Sequence, residues 1–248
     1  MKHLKLRDNF SENHLLFNKP VHFLVFKDDA QSIILADFYI KLISIEQLYF
    51  NEYVATCVNI MRKSSTELKE QFKMTVEDVT HLLTLEYLML IKDQLPSAVN
   101  LVHNIVSGLQ TLCPDLKVVD NQFFIQDVPL TDELFERFRN IWLMSAGLQN
   151  YNQMYKYMSP EQRALEERIQ AIKNKGRKQD GGDNSFEKSY MVLTYEFNYT
   201  QEQILAMTPY MIKTILKYTS RSINYKLTLA AKANGNTKKV KFITDKGD

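Results

Sequence analysis

The sequence predicts a mainly α-helical α+β fold. A helical body carries a short N-terminal strand pair and one small central β-hairpin, and a C-terminal helical subdomain follows. Three observations lead to this prediction. Apolar residues recur at helical spacing over most of the chain, turn residues bound short apolar runs at only two places, and "NKGRKQDGGDNS" contains three glycines but no apolar residue. The predicted divisions are the body at 1–158, a charged helix and flexible linker at 159–184, the C-terminal subdomain at 185–233 and a basic, disordered tail at 234–248.

The N-terminal strand pair is predicted from two short apolar runs, "HLLF" and "VHFLVF", which flank a turn that contains Pro20. The segment that follows, residues 32–63, has few breakers and carries apolar residues at helical spacing, so we predict that it is helical. A helix or a strand fits the apolar positions at its start, which are Ile33, Ile34, Phe38, Ile40 and Leu42.

Three helices are predicted in the middle of the body. A capping serine or threonine at 64–66 begins the polar segment "STELKEQF". Thr75, followed by two acidic residues in the first turn, predicts a helix over "TVEDVTHLLTLEYLMLIKDQL" that stops at Pro96. A further helix is predicted at 97–112. Because the last two helices are rich in leucine and valine, we expect them to pack against each other.

A β-hairpin and an amphipathic helix close the body. Apolar residues at 118–119 and 123–125 flank the Asp-Asn pair at 120–121, which tolerates the positive φ of a tight turn. Thr131 caps the next helix, and Gly147 ends it. The buried face of this helix is predicted to consist of Leu134, Phe135, Phe138, Ile141, Trp142 and Ser145.

The C-terminal subdomain contains two helix starts only eight residues apart. After a charged helix that begins at the Ser-Pro pair 159–160 and the linker, "SFEKSYMVLTYEF" predicts a helix. Thr200 with Gln203 then matches a capping box, and Thr208 with Pro209 marks the second start. Two such starts require a corner. The residues predicted to pack across this corner are Ile204, Leu205, Met207, Ile212, Ile215 and Leu216.

Composition and motif content predict a soluble, intracellular protein without an active site. The 31 Lys or Arg and 29 Asp or Glu nearly cancel, so we expect no strong attraction to nucleic acid or membranes. The polar start is unlike a secretory signal, and no apolar run approaches the ~20 residues of a membrane span. Cys57 and Cys113 are expected to be buried free thiols. The histidines share no ligand spacing and the body has only two glycines, so no catalytic residue, metal or cofactor is predicted.

Tyrosine and methionine side chains form the candidate partner-binding surface. "LQNYNQMYKYMSPEQ" places Tyr151, Met154, Tyr155 and Met158 on one predicted helix face. This stripe fits either a seam against the C-terminal subdomain or a partner surface, because Tyr and Met are enriched at interfaces. The further candidates, all in the C-terminal subdomain, are Tyr199, Ile204, Met207, Tyr210 and Tyr218.

The C-terminal end of the chain is basic. From Arg221 to Asp248 there are seven Lys or Arg and two Asp. The tail "KANGNTKKVKFITDKGD" has one phenylalanine and no series of aromatic platforms for nucleic-acid bases. This composition favours a solubilising tail over a nucleic-acid contact.

The order of several short motifs resembles a family of bacteriophage tail-module proteins. "VHFLVF" leading to "LADFYIKL" is similar to the family's strand-like opening and acidic-aromatic helix start. "FFIQDVPLTDELFERFRNIWL" resembles its hairpin, acidic loop and Phe-x-x-Phe-Arg helix, and "SPEQRALEERIQAIKNKG" resembles its charged Pro-Glu segment. "TQEQILAMTPYMIKTILKY" matches the closing helix pair, from which Pro209 departs.

This resemblance implies a non-enzymatic tail-assembly factor made in the cytoplasm of the infected host cell. Family chaperones are thought to coat the tape-measure protein until tube subunits replace them, so tape-measure or other tail proteins are the implied partners. Related proteins serve instead as structural baseplate or tail-completion components of the virion tail. A DNA-associated phage protein that acts through the basic tail is a more distant alternative. Homo-oligomerisation is left open.

Overall fold

The computed structural model describes residues 4–27, 33–94, 96–148 and 186–233. The mainly α-helical α+β fold class is confirmed, with helices around two small antiparallel sheets. The charged helix and linker predicted at 159–184 and the tail predicted at 234–248 lie outside the described residues. In chain order the elements are β1 (Leu4–Asp8), α1 (Glu12–Phe17), β2 (Val21–Lys27), β3 (Ile34–Ile40), α2 (Ile45–Phe50), α3 (Glu52–Met61), α4 (Ser65–Gln71), α5 (His81–Ile91), α6 (Pro96–Leu112), β4 (Leu116–Val119), β5 (Gln122–Ile125), β6 (Val128–Pro129), α7 (Asp132–Ser145), α8 (Phe186–Phe197), α9 (Gln201–Ala206) and α10 (Pro209–Ala233).

The N-terminal sheet has the order β1-β2-β3 and packs its inner face on α7. Phe23 and Phe38 face each other across β2 and β3, with ring centroids 5.6 Å apart. The ring of Phe138 on α7 meets Phe23 edge-on at 4.9 Å and Phe38 edge-on at 5.7 Å. Edge-to-face contacts add specific geometry to the burial of three aromatic rings. The contacts among these three rings therefore hold the sheet against α7.

Two predictions for the N-terminal region are wrong. Residues 34–40 form strand β3 and not a helix, because Ala36, Phe38 and Ile40 face the core in alternation and pair with β2. Exposed Ile34, Leu35 and Tyr39 on the outer face hid this alternation in the sequence. The run "HLLF" lies in helix α1 and is no strand. Ser11 N donates to His14 Nδ1 at the start of this helix, and Asn18 in the left-handed conformation ends it. The predicted strand pair is in fact a three-stranded sheet.

The start of α5 also differs from the prediction. The helix begins at His81 with Thr80 as its N-cap, and residues 75–80 precede it without helical structure. The hydroxyl of Thr80 accepts from Leu83 N at 3.0 Å and donates to Asp132 Oδ1 at 2.5 Å. This contact with the first turn of α7 selects Thr80 over Thr75, since both threonines are suitable caps by local sequence.

The central helices α3 and α6 pack closely against each other. At Gly108 on α6, an added Cβ atom would lie 2.5 Å from the carbonyl oxygen of Tyr53 and 3.0 Å from Cys57 Cβ. The absence of a side chain at Gly108 therefore allows this approach. α6 also contacts α5, as the sequence predicted, but α3 is its main neighbour. Cys57 and Cys113 are buried free thiols, as expected.

The second sheet contains the predicted hairpin. β4 and β5 pair across Asp120 and Asn121, which both have positive φ values, 49° and 62°, and the short strand β6 extends the sheet. Gln126, after β5, reaches the N-terminal sheet: its side-chain amide donates to Asp37 O at 2.7 Å, and its amide oxygen accepts from Asp37 N at 3.4 Å. One side chain thus joins the two sheets through the outer edge of β3.

Helix α7 makes polar as well as apolar contacts with its neighbours. The predicted cap, Thr131, accepts from Leu134 N at 3.3 Å, and the whole predicted apolar face is buried. Trp142 Nε1 donates to Lys41 O at 3.0 Å, and Ser145 Oγ accepts from Ile43 N at 3.1 Å. These two bonds hold the segment between β3 and α2. Gly147, with φ 70°, follows the helix as predicted.

A polar cluster lies between α5 and α7. His81 is buried, with Nδ1 2.7 Å from Glu136 Oε1 and Nε2 2.8 Å from Lys63 O. Arg139 donates to Glu136 Oε2 at 3.1 Å and to Met61 O at 2.6 Å. Burial raises the pKa of Glu136, but the hydrogen bond from His81 and the charge of Arg139 outweigh it, so the pKa is lower than usual. The charged carboxylate therefore stabilises the folded state.

We expect Gly108→Ala to lower the free energy of unfolding by about 1–3 kcal/mol, because the new methyl group would overlap the Tyr53 carbonyl. Urea unfolding followed by circular dichroism measures the effect. Asn100→Ala, at an exposed position of the same helix, is the control and should not destabilise the protein. Equal stability of the Gly108→Ala variant and the wild type would contradict the packing described above.

We expect Glu136→Gln to be less stable than the wild type at neutral pH, and the difference to shrink as the pH falls. A lowered pKa in the folded state means that the stabilisation exists above the unfolded-state pKa. It is lost as the pH falls from the unfolded-state pKa of a glutamate, about 4.3, through the lower folded-state pKa of Glu136. Urea titrations between neutral pH and about pH 3 measure the difference. Glu196→Gln, exposed on α8, is the control, and a difference independent of pH for Glu136→Gln would count against the cluster.

Candidate protein-interaction site

The C-terminal helices form a small core of their own. The two predicted helix starts are confirmed: Thr200 and Gln203 form a capping box, and Thr208 Oγ1 accepts from Met211 N at 3.0 Å. The corner between α9 and α10 brings apolar side chains of both helices together with Leu193 of α8. Ile45 of α2 completes this core, so the subdomain buries its apolar residues partly against the body. The buried members are Ile45, Leu193, Ile204, Met207 and Ile212.

Three hydrogen bonds hold the corner against the body. Thr208 Oγ1 donates to Leu15 O at 2.7 Å, and Thr208 is fully buried. Asn18 Nδ2 donates to Ala206 O at 2.7 Å, and Ile45 N donates to Met207 O at 2.8 Å. Each bond pairs a backbone group at or near the end of α1, α2 or α9, where such groups have no partner within the helix. The base of α10 is therefore fixed relative to the body.

The first half of α10 adds contacts around this junction. The hydroxyl of Tyr210 donates to Glu12 Oε1 at 2.6 Å. Burial and the bond to Glu12 raise the pKa of Tyr210, so the phenol stays protonated and can donate. Pro209 packs beside Gly147 at the end of α7, and α10 also contacts α1. These contacts all lie in the N-terminal part of the helix.

The second half of α10 is exposed. Beyond Ser220, every residue of α10 whose side chain is described is exposed, over about 20 Å of helix. The large apolar side chains exposed on this part of α10 are Tyr218, just before Ser220, and beyond it Ile223, Tyr225, Leu227 and Leu229. The exposed fraction is 50% for Ile223, 49% for Leu227 and 64% for Tyr218. Large apolar side chains grouped on one exposed helix indicate an interaction site.

The exposed apolar residues form two stripes on α10. The first, Ile223, Leu227 and Ala230, has spacing i, i+4, i+7 and continues the line of Ile212 and Leu216 from the subdomain core. The second stripe is Tyr218, Tyr225 and Leu229, with spacing i, i+7, i+11. We call the first the seam stripe and the second the tyrosine stripe. Tyr225 follows Ile223 by two residues, which is about 200° around the helix, so the stripes lie on different sides.

The predicted partner-binding residues are divided by the structure into three groups. The stripe at 151–158, with Tyr151, Met154, Tyr155 and Met158, lies outside the described residues. Ile204 and Met207 are buried in the core of the C-terminal subdomain, which differs from the predicted surface contact because both side chains fill the corner between α9 and α10. The remaining residues on or near α10 are half-buried Tyr199, half-buried Tyr210 and exposed Tyr218.

The residues of the seam stripe were not among the predicted partner-binding residues. Ile223 and Leu227 continue the i, i+4, i+7 series of Ile212 and Leu216, and this continuation is visible in the sequence. It was overlooked because the same spacing in Ile212 and Leu216 accounts for a core. Only the structure shows that the core ends near Ser220 while the series continues.

Other features of the described residues do not form a reactive arrangement. In an open cleft of about 480 Å³ beside Tyr39, Lys41 and Asp115, the side chains of Ser44 and Gln47 are engaged in capping α2. His22 Nε2 lies 2.5 Å from Asp37 Oδ1 on the open face of the N-terminal sheet, where it stacks on Tyr39. Burial raises the pKa of Cys57 and Cys113 to about 12. Such thiols are poor nucleophiles.

Two further kinds of site are absent from the part of the chain that the structure describes. There, no group of three or more His, Cys, Asp or Glu side chains is arranged to hold a metal ion. None of the described helices has both the length and the apolar composition to cross a membrane. The exposed half of α10 thus remains the best-supported candidate site among the described residues.

Comparison with known proteins gives no relative: no protein-family model, curated protein or solved structure matches the chain significantly.

We expect Thr208→Val to loosen the C-terminal subdomain, because it removes the bond to Leu15 O and the cap of α10 together. Loss of these two bonds should cost about 1–3 kcal/mol. Thr200→Val, which removes only the cap of α9, is the matched control. Hydrogen exchange should show faster exchange at the junction residues 204–212 and near Leu15 in Thr208→Val, with Leu15 unchanged in Thr200→Val. Equal exchange near Leu15 in both variants would show that the junction does not depend on Thr208.

Proposed function

We propose that this protein is a non-enzymatic phage tail-assembly factor, and that it acts as a chaperone for the tape-measure protein or other tail subunits. Two findings support the proposal. The order of motifs resembles that of phage tail-module proteins, and α10 exposes the seam stripe and the tyrosine stripe beyond the body. The exposed half of α10 is the observation that carries the proposal, because it offers apolar helical surface to another protein.

Helical surface of this kind suits a client that is itself a long helix. An amphipathic helix binds a partner through apolar side chains spaced at i, i+3, i+4 and i+7, and the seam stripe occupies positions i, i+4 and i+7 of this pattern. A tape-measure protein, as a long helical client, would expose such residues along its length before the tail tube surrounds it. Binding would cover them and keep the client soluble.

The attachment of α10 to the body supports binding without a large ordering cost. Bonds from Thr208, Asn18 and Ile45 fix the base of the helix before any partner arrives. Since the interface residues are already helical, less conformational entropy is lost on association than with an unfolded segment. Replacement of the chaperone by tube subunits requires moderate affinity, which a narrow apolar stripe can supply.

The main alternative is a structural component of the baseplate or the completed tail. In that role the exposed half of α10 would bind another tail protein permanently rather than temporarily. Mass spectrometry of purified phage particles separates the two roles. A chaperone should be nearly absent from the particles, whereas a structural component should be present in stoichiometric amounts.

We expect co-expression of the chain with the tape-measure protein of the same phage to yield a soluble complex. The double variant Ile223→Asp/Leu227→Asp should reduce the recovered complex at least about tenfold, because charges would replace the centre of the seam stripe. Leu90→Asp, at an exposed leucine on α5, is the matched control and should leave the complex intact. A tape-measure protein that stays insoluble and unbound beside the wild-type chain would reject the proposal.

A further inference from the structure

The positive charge of α10 indicates which charge its partner should have. Between Pro209 and Ala233 the helix has five Lys or Arg and no Asp or Glu, although the whole chain is almost neutral. Lys217, Arg221 and Lys226 are exposed, and within the described part of the chain none of them forms an ion pair. Positive charge is therefore concentrated, without compensation by described residues, on the helix that carries the apolar stripes.

Lys226 is the exposed basic residue next to the seam stripe. Lys226 is three residues after Ile223 and three before Leu229, so its side chain emerges between the two stripes. Arg221 is four residues before Tyr225 and lies beside the tyrosine stripe. A helix placed on the seam stripe would have its own flanking residues within reach of Lys226, as in paired helices where charged residues flank an apolar seam.

From this arrangement we infer that the partner segment is an acidic amphipathic helix, with Asp or Glu beside an apolar stripe. The inference rests on the proposed function, since it specifies the client surface that α10 would bind. The seam stripe supplies the apolar contact, and the cations of α10 select a partner of opposite charge. Complementary charge increases the rate of association and disfavours partners of like charge.

Other occupants fit these observations less well. A second copy of the chain would bring five further cations against the first five, and this repulsion disfavours pairing of α10 with itself. An anionic membrane surface attracts cations but takes up one broad apolar face. On α10 the apolar residues are divided between two sides of the helix, and each stripe is narrow, which is typical of helix–helix seams. Nucleic acid would make no use of the apolar stripes.

The experiment uses two synthetic helical peptides, each about 20 residues long, with the same leucine stripe. One has Glu at the flanking positions and the other has Lys. Fluorescence anisotropy with the full chain should show that the Glu peptide binds at least about tenfold more tightly at low salt. Added NaCl should reduce this preference, because it screens the charges.

Variants of the full chain test whether the preference for the Glu peptide depends on residues of α10. Arg221→Glu/Lys226→Glu should abolish or reverse the preference for the Glu peptide, whereas Leu227→Asp should weaken binding of both peptides. Leu90→Asp should behave as the wild type. Equal affinity for the two peptides, or tighter binding of the Lys peptide, would overturn the inference, as would failure of the wild-type chain to bind either peptide.

Three further results would each overturn the inference in favour of another occupant. A dimer in analytical ultracentrifugation that dissociates in Leu227→Asp would assign the seam stripe to a second copy. The predicted charged helix within 159–184 contains the apolar residues Leu165 and Ile169. Binding of neither peptide by the wild type, but of both by Leu165→Asp/Ile169→Asp, would assign the seam stripe to this segment of the same chain. Tighter binding to phosphatidylglycerol vesicles than to the Glu peptide would assign it to a lipid surface.

The inference and the proposed function can fail separately. If the tape-measure protein binds but the peptides show no charge preference, the acidic partner is rejected and the chaperone proposal remains. If the Glu peptide binds through α10 but the tape-measure protein does not, another acidic helical protein is the client.

Discussion

The placement of helix α7 against the N-terminal sheet determines most of the remaining architecture. Phe138 packs edge-on against Phe23 and Phe38, which fixes the distance between helix and sheet. One and two turns further along, Trp142 and Ser145 bind the backbone at Lys41 and Ile43. The segment that follows β3 is thereby held in the position where Ile45 can both fill the C-terminal core and bind Met207 O. The orientation of α10 thus depends on aromatic packing and two hydrogen bonds made by a different helix.

Features that depend on a few neighbouring residues were predictable from the sequence. The caps at Thr131, Thr200 and Thr208 and the turn at Asp120 and Asn121 are examples, because the chemistry that decides them lies within four residues. The errors have long-range causes. β3 is a strand because β2 lies beside it, and α5 begins at Thr80 because Asp132 accepts a bond from its hydroxyl. Neither partner could be inferred from local periodicity.

The candidate site shows the same division between local and long-range information. The corner between α9 and α10 and the packing of Ile204 and Met207 across it were predicted correctly, and this burial removes both residues from the predicted partner-binding surface. The seam stripe has the same spacing before and after Ser220, so the sequence gives no sign of where burial ends. The point along α10 where burial ends depends on how far the body extends from the junction at Thr208. The phage tail assignment itself rests on motif order and stays a proposal.

The amide of Gln126 has a consequence for solubility. An outer strand such as β3 offers unpaired backbone groups to other chains, and the exposed Ile34 and Leu35 would favour such contact. Gln126 occupies both backbone groups of Asp37 in the middle of that edge. A foreign strand would have to displace this side chain before it could add to the sheet. One route to amyloid-like aggregation is therefore obstructed at this edge of the sheet.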